Sequence, residues 1–281
     1  MQLVTSGGGA APPRSAPVVA SPSTAAGSPA APTSSATPAS PTAKTTAEMN
    51  GVKDLGPSWT LSVDQDFDTP AALGEFDRAY PGWAGYDGFS DTSGLGRYDS
   101  DRVVSVSDGM LDEHLHTENG QALVVSVTPV PHVQEYGRYE VRFRADVAPG
   151  YKLAWLLWPA DNVWGHGEID FPEAGLKPGM GIEAFSHLAR EGDPAVNQWS
   201  HHFDRSPQTW HTAVIEWLPN SLTISLDGEA YSTTDSKAIP DVPMFWSLQT
   251  EVAEGQPAPD VAGDVQIDYV RSWAYTPPAS G

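Results

Sequence analysis

Glu168, Asp170 and Glu173 place three carboxylates in one short run, Glu168-Ile169-Asp170-Phe171-Pro172-Glu173. Carboxylates this close repel one another, and burial in apolar surroundings adds to the cost of keeping them charged. Paired carboxyl groups are also what nucleophilic and general acid–base catalysis require, one to attack or accept and one to give up a proton. The alternative without chemistry is a solvated acidic edge of a strand. The apolar, tryptophan-rich residues around the run favour catalysis.

The spacing of these acids predicts a strand rather than a helix. On a helix, at about 100° per residue, Glu168 and Glu173 would lie roughly 140° apart, and Pro172 would break the turn. On a strand, Glu168 and Asp170 share a face because side chains alternate, whereas Glu173 has the opposite parity. A β-bulge at Pro172, which has no N–H for the ladder, supplies the residue that corrects the parity. We therefore expect three acids on one face and Ile169 facing the core.

The elements that must position this strand also have the pattern of β-strands. Alternating apolar and polar residues predict strands at Trp59–Val63, Leu123–Val127, Tyr139–Arg144, Tyr151–Leu157, Ile182–His187, Trp210–Trp217, Leu222–Leu226, Phe245–Thr250 and Val265–Tyr275. Asp227-Gly228 predicts a hairpin turn after Leu226. No long stretch keeps a helical period. Many short strands separated by turn residues predict an all-β sandwich or jelly roll.

The chain divides by composition into a tail and one domain. Residues 1–56 are dominated by Ala, Pro, Ser, Thr and Gly, and no aromatic residue precedes Trp59. Such a segment cannot bury enough apolar surface to offset the entropy of ordering, so we expect a disordered tail or linker. Residues 57–277 are predicted to form one all-β domain.

Charge and cysteine content exclude several classes of partner. The chain has 15 basic and 36 acidic residues, a net charge of −21, and its tail is slightly positive. The folded part therefore repels phosphate backbones and anionic lipid surfaces, so we expect no nucleic-acid partner. The absence of cysteine excludes disulfides, thiolate metal sites and a cysteine nucleophile.

The sequence also bears on location. No apolar stretch is long enough to cross a membrane, so we expect no membrane insertion. We also expect a monomer. The first residues lack the basic region and apolar run of a signal peptide. The stalk-like tail nevertheless favours an extracellular or cell-envelope location.

The acid run and its flanks resemble glycoside hydrolase family 16, whose signature is a bulged Glu-x-Asp-x-x-Glu. The resemblance extends to the stretches Trp59–Asp68, Tyr136–Arg142, Trp210–Trp217 and Ile267–Trp273, and to the Asp227-Gly228 turn. It implies a concanavalin A-like jelly roll of two antiparallel sheets with a sugar-binding cleft on the concave one. It also implies endo-hydrolysis of a β-linked polysaccharide with retention of configuration and no catalytic cofactor.

The resemblance assigns a role to each acid. Glu168 aligns with the family nucleophile, Glu173 with the general acid/base and Asp170 with the helper between them. A retaining glycosidase needs two carboxyl groups about 5–5.5 Å apart. Four strand steps after the bulge span about 13 Å, so strand curvature and flexible side chains must close the difference.

Three tryptophans are candidate substrate-binding residues. Trp164, four residues before Glu168, lies where the family commonly has a tryptophan that forms the floor of a subsite, with ordinary packing as the alternative. Alternation puts Trp155 and Trp158 on opposite faces, so one packs in the core and the other, taken here as Trp158, reaches the cleft. Trp246 is a candidate for the rim of the groove.

Polar candidates lie on neighbouring strands. The family often has a histidine near the acids, and His187 fits that place, to donate to a substrate hydroxyl or to act on Glu173; a structural histidine is the alternative. Gln249 and Glu251 share a face and resemble polar cleft residues, with solvated surface as the alternative. Many relatives also carry a structural calcium, for which Asp268 is the candidate ligand; the sequence leaves this open.

The expected partner is a polysaccharide, first a β-1,3- or mixed β-1,3-1,4-glucan. Two alternatives remain: a transglycosylase on the same fold, and a lectin-like module without catalysis. The intact acid trio argues against the lectin, because binding alone has no use for three close carboxylates. Phe171-Pro172 replaces the Ile/Val-Met pair that is frequent in β-1,3-glucanases, so the sequence leaves the glycan open.

Overall fold

The structure is a computed structural model that describes residues 55–130, 132–188, 197–253 and 255–278. The predicted disordered tail, residues 1–56, lies outside the described residues except for Leu55 and Gly56. Strands in two sheets are the main regular structure of the described chain, and its helices are short, so the predicted all-β sandwich is confirmed. The exact bounds of the domain, 57 and 277, stay a prediction.

The larger sheet has 11 strands in the described part of the chain. Its strands are β1 (Trp59–Gln65), β3 (Asp87–Ser90), β4 (Gly96–Asp99), β5 (Val104–Ser107), β6 (Met110–Glu118), β7 (Gln121–Val124), β10 (Gly137–Ala145), β15 (His211–Leu218), β16 (Ser221–Leu226), β17 (Glu229–Thr233) and β19 (Gly263–Tyr275). The order is β17-β16-β15-β10-β19-β6-β7-β4-β3, with β1 paired to β19 and β5 to β6. All pairs are antiparallel except β4 with β7.

The smaller sheet has 8 strands among the described residues. Its strands are β2 (Trp83–Gly85), β8 (Ser126–Pro129), β9 (Val133–Gln134), β11 (Tyr151–Pro159), β12 (Glu168–Gly175), β13 (Ile182–His187), β14 (Asn197–Phe203) and β18 (Met244–Val252). The order is β14-β13-β12-β11-β18-β8-β2, with β9 paired to β18. The acid run is therefore β12, with β13 on one side and β11 on the other.

Helices are short. The described residues form two α-helices of one turn, α1 (Phe76–Ala79) and α2 (Ser100–Val103), and two 3-10 turns, Trp164–His166 and Ser236–Ala238. The 3-10 turn at Trp164 ends just before β12 and so places that indole beside the acid run. No helix in the described ranges has the length and apolar character needed to span a membrane.

The core lies between the two sheets, where aromatic side chains from both meet. Phe143 on β10 packs edge to face against Trp155 on β11, with ring centroids 5.1 Å apart. Tyr139 on β10 packs in the same way against Trp246 on β18, at 5.4 Å. The prediction that Trp246 forms the rim of a groove is therefore wrong, because this indole is 1% exposed and belongs to the core.

Eight of the nine predicted strands correspond to single strands of the structure, with ends that differ by a few residues at most. The ninth, Leu123–Val127, is interrupted at Val125, where the chain passes from β7 in the larger sheet to β8 in the smaller one. Thr250 satisfies the backbone polar groups of Val125 at this crossing point. Its hydroxyl accepts from the Val125 N–H, and its own N–H donates to the Val125 carbonyl.

The predicted hairpin turn is also confirmed. Asp227 and Gly228 join β16 to β17, and both have positive φ, 52° and 85°. Left-handed conformations at both central residues are typical of the type I′ turn, which matches the twist of the two strands.

Candidate active site

The predicted bulge lies at the predicted place on β12. Against β13, Asp170 pairs with Phe185 and Glu173 with Glu183, so three steps on β12 face two on its neighbour. The pairing with β11 shifts between the same two acids. The extra residue, Pro172, follows a cis peptide bond from Phe171.

The bulge gives the three acids a common face. Ile169, Phe171 and Ala174 pack into the core, so Glu168, Asp170 and Glu173 point away from it. Asp170 is buried, whereas the other two acids remain partly exposed. The sequence prediction of a bulged strand with its three acids on one face is confirmed.

Glu168 and Asp170 share a polar cluster with two neighbours. The indole N–H of Trp164 donates to Oε2 of Glu168 at 2.5 Å. His187 stands opposite Glu168 in the β12–β13 register, and its Nε2 lies 2.9 Å from Oδ2 of Asp170. One ligand atom each from Glu168, Asp170 and His187 lies within 4.8 Å of the others. His187 therefore lies in the acid cluster, as predicted, but it contacts Asp170 rather than Glu173, and its role in binding substrate stays a prediction.

Burial and charge repulsion set the protonation of this pair. Burial raises the pKa of Glu168 well above its usual range, and the Asp170 charge adds to it, while His187 and the Trp164 N–H act against it. Burial likewise raises the pKa of Asp170, and the Glu173 charge adds to that shift. Burial and the neighbouring negative charges therefore both favour the neutral form of these two carboxyl groups.

Glu173 has a different partner. Its Oε1 accepts from Nζ of Lys152 at 3.0 Å, and the same ammonium lies 3.2 Å from Oε2 of Glu251. Burial alone would lower the pKa of Lys152, but the charges of Glu173 and Glu251 outweigh it and raise the pKa. Lys152 is therefore a cation within the acidic face. Sequence analysis did not identify it, because a lysine on an alternating strand has the same pattern as a solvated surface residue.

Gln249 and Glu251 lie on one face of β18, as predicted, but solvated surface is the wrong interpretation of Glu251. Its side chain is buried, and Oε1 accepts from Nε2 of Gln249 at 2.8 Å and from the Tyr98 hydroxyl at 3.4 Å. Thr92 donates to the same oxygen. A role of Gln249 in binding substrate stays a prediction.

The predictions for the tryptophans near the acids have different outcomes. Trp155 packs in the core and Trp158 lies on the opposite face, as alternation predicts. Trp158 does not reach an open cleft, however, because it is 1% exposed and its N–H donates to Oδ1 of Asn162 at 2.9 Å. The expectation that Trp158 contacts substrate is therefore wrong for this structure. Trp164 is partly exposed beside Glu168, so its subsite role stays a prediction.

Phe185 is an aromatic residue of this face that sequence analysis did not identify. It pairs with Asp170 across β12 and β13, it is half-buried, and its ring stacks near that of His187 at 28° and 6.1 Å. Its position two residues before His187 on an alternating strand was the available signal.

The surroundings of Asp268 do not fit a calcium ion. The carboxylate is buried and its Oδ2 accepts from Nη1 of Arg142 at 2.8 Å. The Arg142 guanidinium also lies over the Trp210 ring, 4.4 Å from its centroid. Calcium requires six to eight oxygen ligands, whereas a guanidinium already supplies the positive charge here.

A β-sandwich with a bulged, three-carboxylate strand and flanking aromatic residues defines a carbohydrate-active enzyme of the jelly-roll class. The family model for glycosyl hydrolases family 16 matches residues 102–271, so the chain belongs to this family and is a glycoside hydrolase. No curated protein matches the chain significantly.

Solved structures with similar folds share about a fifth of their residues with this chain. The laminarinase from Rhodothermus marinus is 20% identical, with a TM-score of 0.63, 78% of this chain and 98% of that chain covered. The catalytic domain of an endo-1,3-beta-glucanase from Thermotoga petrophila is 19% identical, with a TM-score of 0.60 and coverages of 80% and 100%. A structure described for endo-acting O-glycanases that initiate mucin breakdown, from the human gut microbiota, is 20% identical, with a TM-score of 0.64 and coverages of 80% and 94%. At this identity the similarity concerns the fold.

Proposed function

We propose that this protein is a retaining endo-glycosidase that hydrolyses internal β-linkages of a polysaccharide through a covalent glycosyl-enzyme. The observation that carries the proposal is the pair Glu168 and Glu173 on one face of a bulged strand, each with its own partners. Glu168 is held by an indole N–H in a cluster with Asp170, and Glu173 by an ammonium group. Two carboxyl groups in different environments are what a double displacement needs.

In the first step, a carboxylate oxygen of Glu168 attacks the anomeric carbon. The bond from that carbon to the glycosidic oxygen breaks, and Glu173 gives its proton to the departing oxygen. Glu168 loses its charge as the ester forms, which removes one negative charge from beside Asp170. In the second step, Glu173 takes a proton from water as the water attacks the anomeric carbon and frees Glu168.

We propose a β-1,3- or mixed β-1,3-1,4-glucan as the first substrate to test. The support is the family together with the laminarinases and the endo-1,3-beta-glucanase of similar fold. Trp164 and Phe185 are the candidate platforms for sugar rings, because both are partly exposed aromatic residues beside the acids. A polymer does not cross membranes unaided, so we place the activity outside the cytoplasm.

The test combines one variant with one trapping reagent. In Glu168→Gln, hydrolysis of laminarin or lichenan is expected to fall by at least about 10³-fold, the scale that loss of a covalent nucleophile produces. A 2-deoxy-2-fluoro glycoside of the sugar released by the wild type should add one glycosyl unit to Glu168, detected by mass spectrometry.

The matched control is Glu229→Gln, an exposed acid on edge strand β17 that is expected to keep full activity. Substantial turnover by Glu168→Gln together with no covalent adduct on the wild type would contradict the proposal. Agarose and mucin O-glycans in the same assay check whether another glycan is preferred.

A further inference from the structure

Lys152 occupies a central position between two acids of neighbouring strands. In the register of the smaller sheet, Lys152 on β11 pairs with Glu251 on β18. Glu173 on β12 pairs with Ala154, the next residue of β11 on the same face. The ammonium thus bridges Glu173 and Glu251, at 3.0 and 3.2 Å.

Glu251 is built to hold this lysine in place. Its Oε1 accepts from three neutral side chains, Gln249, Tyr98 and Thr92. Its Oε2 faces Lys152. Neutral donors satisfy one oxygen of this buried carboxylate and a cation satisfies the other, so these contacts hold the group in one orientation. Glu251 therefore fixes the ammonium at a defined distance from Glu173.

We propose that Lys152, anchored by Glu251, is a positioning residue for the acid/base Glu173 that stabilises the charge Glu173 gains on giving up its proton. The proposal deepens the proposed function and rests on it. Because Nζ donates to Oε1 of Glu173, the transferable proton is directed to Oε2. Lys152 thus selects the oxygen that acts on the substrate.

The contribution of Lys152 depends on the leaving group. When the glycosidic C–O bond breaks, the Glu173 O–H bond also breaks, and its electrons stay on the carboxyl group as negative charge. A charge-assisted hydrogen bond from Nζ strengthens as that charge develops. A sugar hydroxyl is a poor leaving group that needs the proton, whereas dinitrophenolate departs without it. Lys152 should therefore matter for the first and hardly for the second.

Three other acids lie near Glu173 in the part of the chain that the structure describes. Asp170 lies on the same strand, and the charge of Glu173 raises its pKa. Glu183 on β13 stands opposite Glu173 in the register, and Glu251 lies on β18. The ammonium of Lys152 therefore offsets a set of carboxylates drawn from three strands.

The test uses a double variant, because Lys152→Met alone would leave Glu251 buried with an uncompensated charge and destabilise the fold. Lys152→Met/Glu251→Gln removes both charges and keeps an acceptor for Gln249, Tyr98 and Thr92. We expect kcat/KM for a β-glucan oligosaccharide to fall by about 10²-fold, within the range of general acid catalysis. For the 2,4-dinitrophenyl glycoside of the same sugar it should change less than about threefold, because departure of dinitrophenolate needs little general acid catalysis.

The controls separate position from charge. Lys152→Arg keeps the cation and should retain most of the oligosaccharide activity, whereas the exposed Lys177→Met should match the wild type. Thermal unfolding of each variant checks the fold. Equal losses on both substrates, or no loss on either, would overturn the role of Lys152 while leaving the hydrolase intact. A folded wild type that cleaves neither substrate would overturn the proposed function, and the role of Lys152 with it.

Discussion

At the residue scale, Glu168 and Glu173 differ in their surroundings rather than in their chemistry. Glu168 shares a polar cluster with Asp170 and His187 and accepts the indole N–H of Trp164. Glu173 is partly exposed and contacts the ammonium of Lys152. The neighbours therefore distinguish the two proposed roles: Glu168 must be charged to attack, and Glu173 must exchange protons.

Trp164→Phe tests the indole N–H apart from the ring. The hydrogen bond favours the charged form of Glu168 and lowers its raised pKa. Without that donor the carboxyl group charges only at higher pH. We expect kcat/KM at neutral pH to fall by about 10-fold or more, the effect of losing a bond to a charged group. The acid limb of the pH profile of kcat/KM should move to higher pH.

KM is informative in the same variant. If the Trp164 ring binds sugar, phenylalanine keeps an aromatic face for that contact, so KM should stay close to the wild-type value. Trp59→Phe, far along the chain on β1, serves as the control. An acid limb that stays in place would contradict the role assigned to the N–H.

The acids were predictable from sequence, as were Trp164 and His187 near them, but Lys152, which contacts Glu173, was not. Parity and Pro172 were enough to place Glu168, Asp170 and Glu173 on one face, because alternation is a local property of a strand. The Lys152–Glu251 pair depends on the register between β11 and β18, which are far apart in sequence. No local pattern reports such a pairing.

At the element scale, long strands were predictable and short ones were not. Tyr139–Arg144 alternates over enough residues to be recognised, and the structure extends it to Gly137–Ala145. The strands Trp83–Gly85 and Gly96–Asp99 have only 3 and 4 residues and contain glycine, so alternation gave no signal. Trp158 was misinterpreted for another reason: parity gives the face of a side chain but not what covers it.

The pairing of β10 with β19 predicts how the protein responds to calcium. The side chain of Arg142 on β10 forms an ion pair with Asp268 on β19 and stacks on Trp210. Calcium or EDTA should therefore leave the Tm of the wild type unchanged in thermal unfolding. Arg142→Ala should lower the free energy of unfolding by about 3 kcal/mol, because a buried carboxylate loses its cation.

The control for that prediction is an exposed ion pair between a loop residue, Arg205, and Glu229 on β17 of the same sheet. Arg205→Ala breaks the contact with Glu229 and should cost less than about 1 kcal/mol. Arg142→Lys keeps the charge but loses the planar stack on Trp210, so it should fall between the wild type and Arg142→Ala. A wild type that gains several degrees in Tm with calcium would show that the guanidinium does not replace the ion.

At the scale of the whole molecule, the carboxyl group of Glu113 lies inside the core that the two sheets enclose. Glu113 is fully buried on β6, on the face that carries Leu111 and Leu115, and it pairs with Val104 and Val265 on the adjacent strands. Within the described residues, neither carboxyl oxygen has a hydrogen-bond partner. Burial raises the pKa of Glu113 well above its usual range, so the neutral acid is the form that fits the fold.

Glu113 should therefore make the fold less stable as pH rises. Between the ordinary pKa of a glutamate and the raised native value, the unfolded chain has released this proton and the native chain has kept it. The free energy of unfolding then falls with increasing pH, by about 1.4 kcal/mol per unit for one proton. The contribution is complete below the unfolded pKa and is lost as pH rises through the native one. Chemical denaturation from pH 5 to 8 measures the slope.

Two substitutions separate the charge of Glu113 from its polarity. Glu113→Gln should remove this part of the pH slope but leave an amide without partners in the core. Glu113→Met, unbranched and close in volume, should also remove the slope. It should raise the free energy of unfolding by about 1–3 kcal/mol, because the wild type leaves a buried polar group unsatisfied. Glu168 and Asp170 contribute slopes of the same sign, so the difference from the wild type is the informative quantity. Exposed Glu135→Met should leave the slope unchanged. Parallel slopes for the wild type and both Glu113 variants would mean that Glu113 does not keep its proton in the core.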